Sequence, residues 1–589
     1  MMRKCLAMSL SATIFLAGCS TTPLPSLNPP PPAVVATTPQ AAIKHVVVIF
    51  GENISFDHYF GTYPNAENLP GEHAFTAATG TPTNISNYIS NPSLLTQNPN
   101  LNAVNGVITA GVVISSPSNP FRLDPAQAGT GDQDHNYGPE QVAFDGGLMD
   151  KFPLSVGAPD SSYNTPTINL AEATNAPAIA NTNALTMGYY DGNTVTGMWN
   201  YAQHYSLNDH SFGTTFGAST QGAINLISGQ TNGVTVVLAG AASGTVADGG
   251  TPAGLTLIGD EDPAYDQCSS TTATVQMTGK NIGNLLNTAN ISWGFFEGGF
   301  NLTLTNTSGN GVVASGSGCL PNEATGSRAT GAVYIPGNPL KADYIPHHQP
   351  FQYYASTANP MHVRPASTAA IGTDTYTGTG MNTTIANHQY DVLDFNAALA
   401  AGNLPAVSFL KAPGYEDGHA GYSDPLDEQA FVVSEINAIE ASQFWANTAI
   451  IIAYDDSDGW YDHLNMLING STTSADASFC NVAPTLVGVT STTPVQGRCG
   501  YGPRLPLLVI SPWARANYID NTVTDQSSIT RFIEDVFLGS QRLGGGSYDN
   551  SAGSLMGMFN FSNAAAPPSP TPVYLSPTTG AVCASATCK

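Results

Sequence analysis

The sequence predicts an α/β fold with a mainly parallel sheet flanked by helices, on three observations. Residues 46–50, 406–410, 449–454 and 505–510 are short apolar runs, as parallel strands buried on both faces are. Each run gives way to polar, Gly or Pro residues, as a strand stopping at a sheet edge does. Helical periods fall between or after them, over 427–444, where Phe431, Val432, Ile436 and Ile439 recur near 3.6, and over 527–538. With 42% hydrophobic residues in a chain of 589, a large core can form, which excludes wholesale disorder.

Taken in order, residues 1–19 read as an export signal. Arg3 and Lys4 precede an apolar run over 5–17 that is too short for an ordinary membrane span. Leu16-Ala17-Gly18-Cys19 looks like a bacterial lipobox, with Cys19 acylated as the mature N-terminus; an ordinary cleaved signal with a chance Cys is the alternative. Residues 20–42 are Pro-rich and suit a tether. The expectation is an exported periplasmic or outer-membrane lipoprotein, held to the membrane through Cys19.

The catalytic domain is expected over 43–561, with insertions at about 62–200 and 230–340 that are rich in Asn, Thr, Ser and Gly. Within the second, 234–246 and 291–305 suggest extra strands of a smaller inserted subdomain. Residues 562–589 form a Pro-rich tail. Six cysteines remain after Cys5 and Cys19 are set aside, and nearest-neighbour pairing (268–319, 480–499, 583–588) is the simplest of the fifteen connectivities. None has the Cys/His spacing of a structural zinc site.

Sixteen basic residues against 42 acidic ones give a net charge of −26, which disfavours nucleic acid as a partner. An anionic substrate would need a local attraction, from a metal ion or a helix N-terminus.

In doubly wound sheets ligands sit beyond the C-terminal ends of strands. The first run is followed by Gly51-Glu52-Asn53, the third by Asp455-Asp456-Ser457-Asp458-Gly459, and the second by Lys411 and then Glu416-Asp417-Gly418-His419. Glu52, Asn53, Asp455 and Asp456 offer the oxygen ligands of a divalent metal ion; a solvated acidic turn is the bland alternative. Ser219, in Phe216-Gly217-Ala218-Ser219-Thr220, sits where small residues give way to a helical run. It reads as an N-cap serine or as a nucleophile served by the helix N-terminus and a metal.

These segments resemble the bacterial phospholipase C/acid phosphatase phosphoesterase family. Ile43-Lys-His-Val-Val-Val-Ile-Phe-Gly-Glu-Asn-Ile-Ser-Phe-Asp-His-Tyr-Phe-Gly61 is similar to its opening signature. Ala453-Tyr-Asp-Asp-Ser-Asp-Gly-Trp-Tyr-Asp-His463 resembles its late acidic signature, and Ser554-Leu-Met-Gly-Met-Phe-Asn-Phe561 its closing motif. The resemblance implies a fold like that of alkaline phosphatases and sulfatases, and metal ligation by Glu52, Asn53, Asp455 and Asp456. It also implies phosphoryl transfer to Ser219, and phosphate contacts from His419, His348 in His-Gln-Pro-Phe, and His135 in Asp-Gln-Asp-His, with His347 a rival for the role of His348. His45, His58 and His463 lie beside the motifs and read as supports. Ala218 stands where the family usually has Pro, and the Gly414–Pro425 stretch looks like the acid phosphatase branch. That branch implies a metal-dependent acid phosphatase working through a phosphoserine. A phospholipase C is the alternative, with Trp460, Tyr461 and Tyr415 lining a choline or lipid pocket; a non-catalytic surface binding protein is the third reading.

Overall fold

Continuous Val and Ile runs have nowhere to go but the middle of a covered sheet, and that is where they lie in the computed structural model. It describes residues 36–109, 112–113, 115–157, 182–240, 245–248, 254–303, 319, 343–465 and 501–588. The main sheet has eight strands: β1 (His45–Gly51), β2 (Ser206–Asn208), β3 (Trp293–Glu297), β4 (Gln389–Asp391), β5 (Val407–Lys411), β6 (Thr448–Tyr454), β7 (Leu507–Ile510) and β8 (Tyr518–Asp520). Their spatial order is β4-β3-β5-β1-β6-β7-β2-β8. Val46 to Phe50 and all seven residues of β6 are buried, so the sheet centre is covered on both faces.

Two expectations need correction. The 505–510 run was expected to be parallel, but β7 pairs antiparallel with both β6 and β2, while the other seven strands share one direction. A strand covered on both faces is apolar whichever way it runs, so composition cannot give its sense. The 291–305 strand was assigned to an inserted subdomain. Instead β3 lies inside the main sheet between β4 and β5, with all five residues buried.

The other expected strand belongs to a second, antiparallel sheet, in the order Ala273–Met277, Asn232–Ala239, Gly254–Leu257, Thr245–Asp248. Its Val234, Leu257, Val275 and Met277 join the same hydrophobic core as β1, so this sheet has no separate core of its own.

Five of the helices that accompany the sheet are α1 (Phe56–Phe60), α2 (Tyr137–Phe144), α3 (Ser219–Ser228), α4 (Pro425–Glu440) and α5 (Gln526–Phe537). Pro425 opens α4, and Asp424 caps it by accepting from the amides of Leu426 and Asp427. The helix stops at Glu440, short of the expected 444, and Trp445–Asn447 form a separate 3₁₀ turn.

The Pro-rich tail is docked. Asn437 of α4 donates to the Leu575 carbonyl (2.7 Å) and accepts from its amide (3.1 Å), and Leu575 is fully buried. Disulfides join Cys268 to Cys319 and Cys583 to Cys588, two of the simplest pairs. Cys480, Cys499, the leader and Cys19 lie outside the described residues. Among the described residues, no helix is long and apolar enough to cross a membrane.

Candidate active site

Parallel strands deliver their C-terminal ends to one edge. Gly51 lies opposite Tyr454 in the β1/β6 ladder, so Glu52 and Asp455 leave the sheet side by side. Next door, β5 ends at Lys411 opposite Glu297 of β3. Asn53 then takes a left-handed conformation (φ 59°), which Asn tolerates better than most residues, and its amide donates to Asp455 Oδ1 at 3.0 Å.

Against this edge packs the N-terminus of α3. Ala218 is its N-cap and Ser219 its first helical residue, so Ser219 is not the capping serine. Its Oγ lies 3.2 Å from Glu52 Oε2, 3.1 Å from Asp456 Oδ2 and 3.4 Å from Asn53 Oδ1. The helix can come this close because position 222 is glycine: a Cβ there would stand 2.2 Å from the Asp455 carbonyl oxygen.

One hydroxyl proton cannot satisfy three acceptors. Glu52, Asn53, Asp456 and Ser219 thus form an oxygen-only set with a deficit of donors, the composition a hard divalent cation fits. Asp455 adjoins them, accepting through Oδ1 from the amides of Asn53 and Asp456.

The N-terminus of α3 was expected to offer N–H groups to a phosphoryl oxygen, and three of the amides around Ser219 already have partners within the protein. Gly217 donates to Glu140, Thr220 to Asp260, and Gln221 to the Ala218 carbonyl. Side chains must therefore supply much of the positive field.

Those side chains are present. Buried Lys411 pairs with Glu52 and lies 3.5 Å from Asp455 Oδ2. His348 Nδ1 is 3.3 Å from Glu52 Oε1, whereas His347 turns toward Asp262 at 3.4 Å. His135 Nε2 lies 3.4 Å from Asn53 Nδ2, and the His135 and His419 rings are 5.9 Å apart. Asp132, His135, His419 and Asp458, all buried, each offer a ligand atom within 4.8 Å of the others, a second cation-capable group beside the first.

Burial, and then Asp455, pushes the Glu52 carboxyl well above its usual range. Burial does the same to Asp456, and to Asp458 with help from Asp132. Burial alone would lower His135, but Asp456, Asp132 and Asp458 outweigh it and hold the imidazole well above its ordinary value.

Of the three supporting histidines, two stand near the site loop. His58 stacks on Trp460 at 3.8 Å, and His463 binds Asp57, which with Asp462 holds the fully buried Arg504. His45 does not support the site: it begins β1, at the opposite end of the strand, and contacts the Pro405 carbonyl. Trp460 and Tyr461 are buried, and Tyr461 packs on Phe152; Tyr415 is half-buried.

The Phosphoesterase family profile matches residues 43–538, most of the chain and every group just described. The chain belongs to the Phosphoesterase family. Among its relatives, a non-hemolytic phospholipase C of Pseudomonas aeruginosa is 29% identical over 150 residues, covering 23% of this chain and 20% of that protein. A non-hemolytic phospholipase C of Burkholderia pseudomallei is 30% identical over 161 residues, covering 27% and 22%. Phospholipase C A of Mycobacterium tuberculosis is 28% identical over 144 residues, covering 24% and 27%. The chain thus spans only about a fifth to a quarter of the length of these relatives.

Within this phosphoesterase-family site, sequence reasoning missed the roles of Lys411, Asp132, Glu140, Asp260 and Asp458. Two signals were there: Asp132 opens the Asp-Gln-Asp-His motif and Asp458 ends Asp-Asp-Ser-Asp. Glu140 and Asp260 carry no motif at all.

Proposed function

We propose that this chain is a metal-dependent acid phosphatase that hydrolyses phosphomonoesters through a phosphoserine on Ser219. The observation that carries the reading is the Ser219 hydroxyl held within 3.4 Å of three oxygens from the two strand-end loops. A fold related to alkaline phosphatases and sulfatases, export, and a lipid anchor at Cys19 belong to the same proposal.

Glu52, Asn53, Asp455 and Asp456 would hold the divalent ion, which when bound supplies Lewis-acid stabilisation of charge on the phosphoryl group. The chain's own residues do the rest. Asp456 Oδ2 and Glu52 Oε2, at 3.1 and 3.2 Å, are placed to take the Ser219 proton. The Oγ–P bond then forms as the P–O bond to the leaving alcohol breaks, and an imidazolium among His135, His348 and His419 gives that alcohol its proton. Water next attacks phosphorus, giving a proton to the imidazole that the first step left neutral, and the Oγ–P bond breaks as Ser219 takes its proton back from the carboxyl, releasing phosphate. Lys411 and the imidazoles set the field in which the anion is held.

Ser219→Ala should lower turnover of an aryl phosphate by at least about 10³-fold in a folded protein, since it removes the group that forms the covalent bond. Near-normal turnover would remove Ser219 as nucleophile. A second reading, phospholipase C, is favoured by the names of the relatives. Phosphocholine release from phosphatidylcholine vesicles, compared with phosphate release from the monoester, separates the two.

A further inference from the structure

Glu140 carries no motif, touches none of the groups that would meet phosphate, and yet ties them together. It lies in α2, which begins at Tyr137, two residues after His135. Its side chain is 3% exposed, and each carboxylate oxygen takes a different donor. Oε2 accepts from the Gly217 amide at 2.7 Å, two residues before Ser219. Oε1 accepts from the Ser457 hydroxyl at 2.7 Å, the residue after Asp456.

An ionised carboxylate can only accept, so the Ser457 hydroxyl donates to it, while Ser457 Oγ itself accepts from the Gly459 amide at 3.1 Å. Gly217 presents its amide from a left-handed conformation (φ 113°) that a residue with a side chain rarely adopts. A side chain on Gly217 would also meet Gln221 Nε2 at 2.6 Å. The carboxylate is thus the meeting point of three segments far apart in sequence, bearing His135, Ser219 and Asp456.

We propose that Glu140 is a positioning residue, a two-oxygen clamp that fixes the nucleophile turn against the acidic loop. It rests on the reading of Ser219 as nucleophile and extends it, because the Ser219–Asp456 separation depends on two pieces of backbone that Glu140 joins. Alanine leaves both donors without an acceptor in a buried place. Glutamine keeps an acceptor for Gly217 but presents an NH₂ group to Ser457, which must then accept instead of donate and leaves its own hydroxyl proton without the Glu140 acceptor, so it restores one arm only.

The test uses the full chain, an aryl phosphate and four variants, Glu140→Ala, Glu140→Gln, Ser457→Ala and the Glu140→Ala/Ser457→Ala double, with amide hydrogen exchange as a second readout. In Glu140→Ala kcat should fall by about 10²-fold with KM changed less than about threefold, since misplacing a reacting group by an ångström costs that much. Glu140→Gln and Ser457→Ala should each fall by about tenfold, and Ser457→Ala added to Glu140→Ala should cost nothing more. Exchange should quicken together over residues 215–221 and 455–459 in Glu140→Ala.

A purely structural Glu140 would lower the melting temperature while leaving kcat per folded molecule and the paired exchange unchanged, and that result overturns the clamp. Additive Glu140 and Ser457 effects overturn it as well. If Glu140→Ala does not fold, Glu140→Gln and Ser457→Ala read the two arms separately. Retained turnover in Ser219→Ala would strike the nucleophile reading instead, and the exchange result would still decide the clamp.

Discussion

Between Glu52 and Asp455, the Lys411 ammonium is wholly buried, and those carboxylates raise its affinity for its proton against the opposing effect of burial. A divalent ion among Glu52, Asp455 and Asp456 would leave one negative charge uncompensated, and Lys411 cancels it. Lys411→Met should therefore weaken inhibition by inorganic phosphate by about tenfold or more, on the order of 1.4 kcal/mol, while metal affinity holds or rises. Phosphate inhibition and metal titration measured side by side check this; a lysine that only props up the loop would weaken both. At this scale the sequence is legible where a residue stands in an ordered motif, as Ser219 and Asp456 do. It is silent where a partner is chosen by register across strands, as for Lys411 and Glu52, or by rotation at neighbouring positions, as for His347 and His348.

The contact of α3 with the ends of β1 and β6 turns on a single missing methyl group. Gly222→Ala would drive a Cβ into the Asp455 carbonyl, with the Asp455 Cα and carbonyl carbon at 2.6 Å, all of it backbone that cannot step aside. The helix must then move away from the acidic loop, at a cost of about 1–3 kcal/mol for overpacking. Both the melting temperature and kcat should fall, and restored kcat on lowering the temperature would show that only stability was lost. Strands were legible as far as Val and Ile wrote them: β1, β5 and β6 fall within a residue or two of the apolar runs. The sheet position of β3 was hidden because Trp293, Gly294, Phe295 and Phe296 do not form an aliphatic run, and the direction of β7 because burial on two faces leaves no mark of polarity.

For the molecule as a whole, acidity is built into the core as well as the surface. Burial pushes the carboxyls of Glu428, Glu435 and Glu440 up to about 7. Each therefore holds a proton in the folded chain that the unfolded chain gives up near its ordinary value. Their contribution to stability is complete below that ordinary value and is lost as pH rises through about 7. Asp57, which His463 and Arg504 hold low against the effect of burial, works the other way at the acid end. Thermal melts should show a melting temperature that falls between pH 5 and about pH 8, and a melting temperature that rises over that window would contradict the set.

The course of β1 has one more consequence. Thr37, shortly before β1, has its amide fastened to the Phe561 carbonyl at 2.9 Å, and β1 then runs through the middle of the sheet before the chain reaches Glu52. The His45 end of that strand and the candidate site beyond Gly51 are thus antipodal, so a tether attached ahead of β1 pulls on the sheet from the side away from the acidic loop.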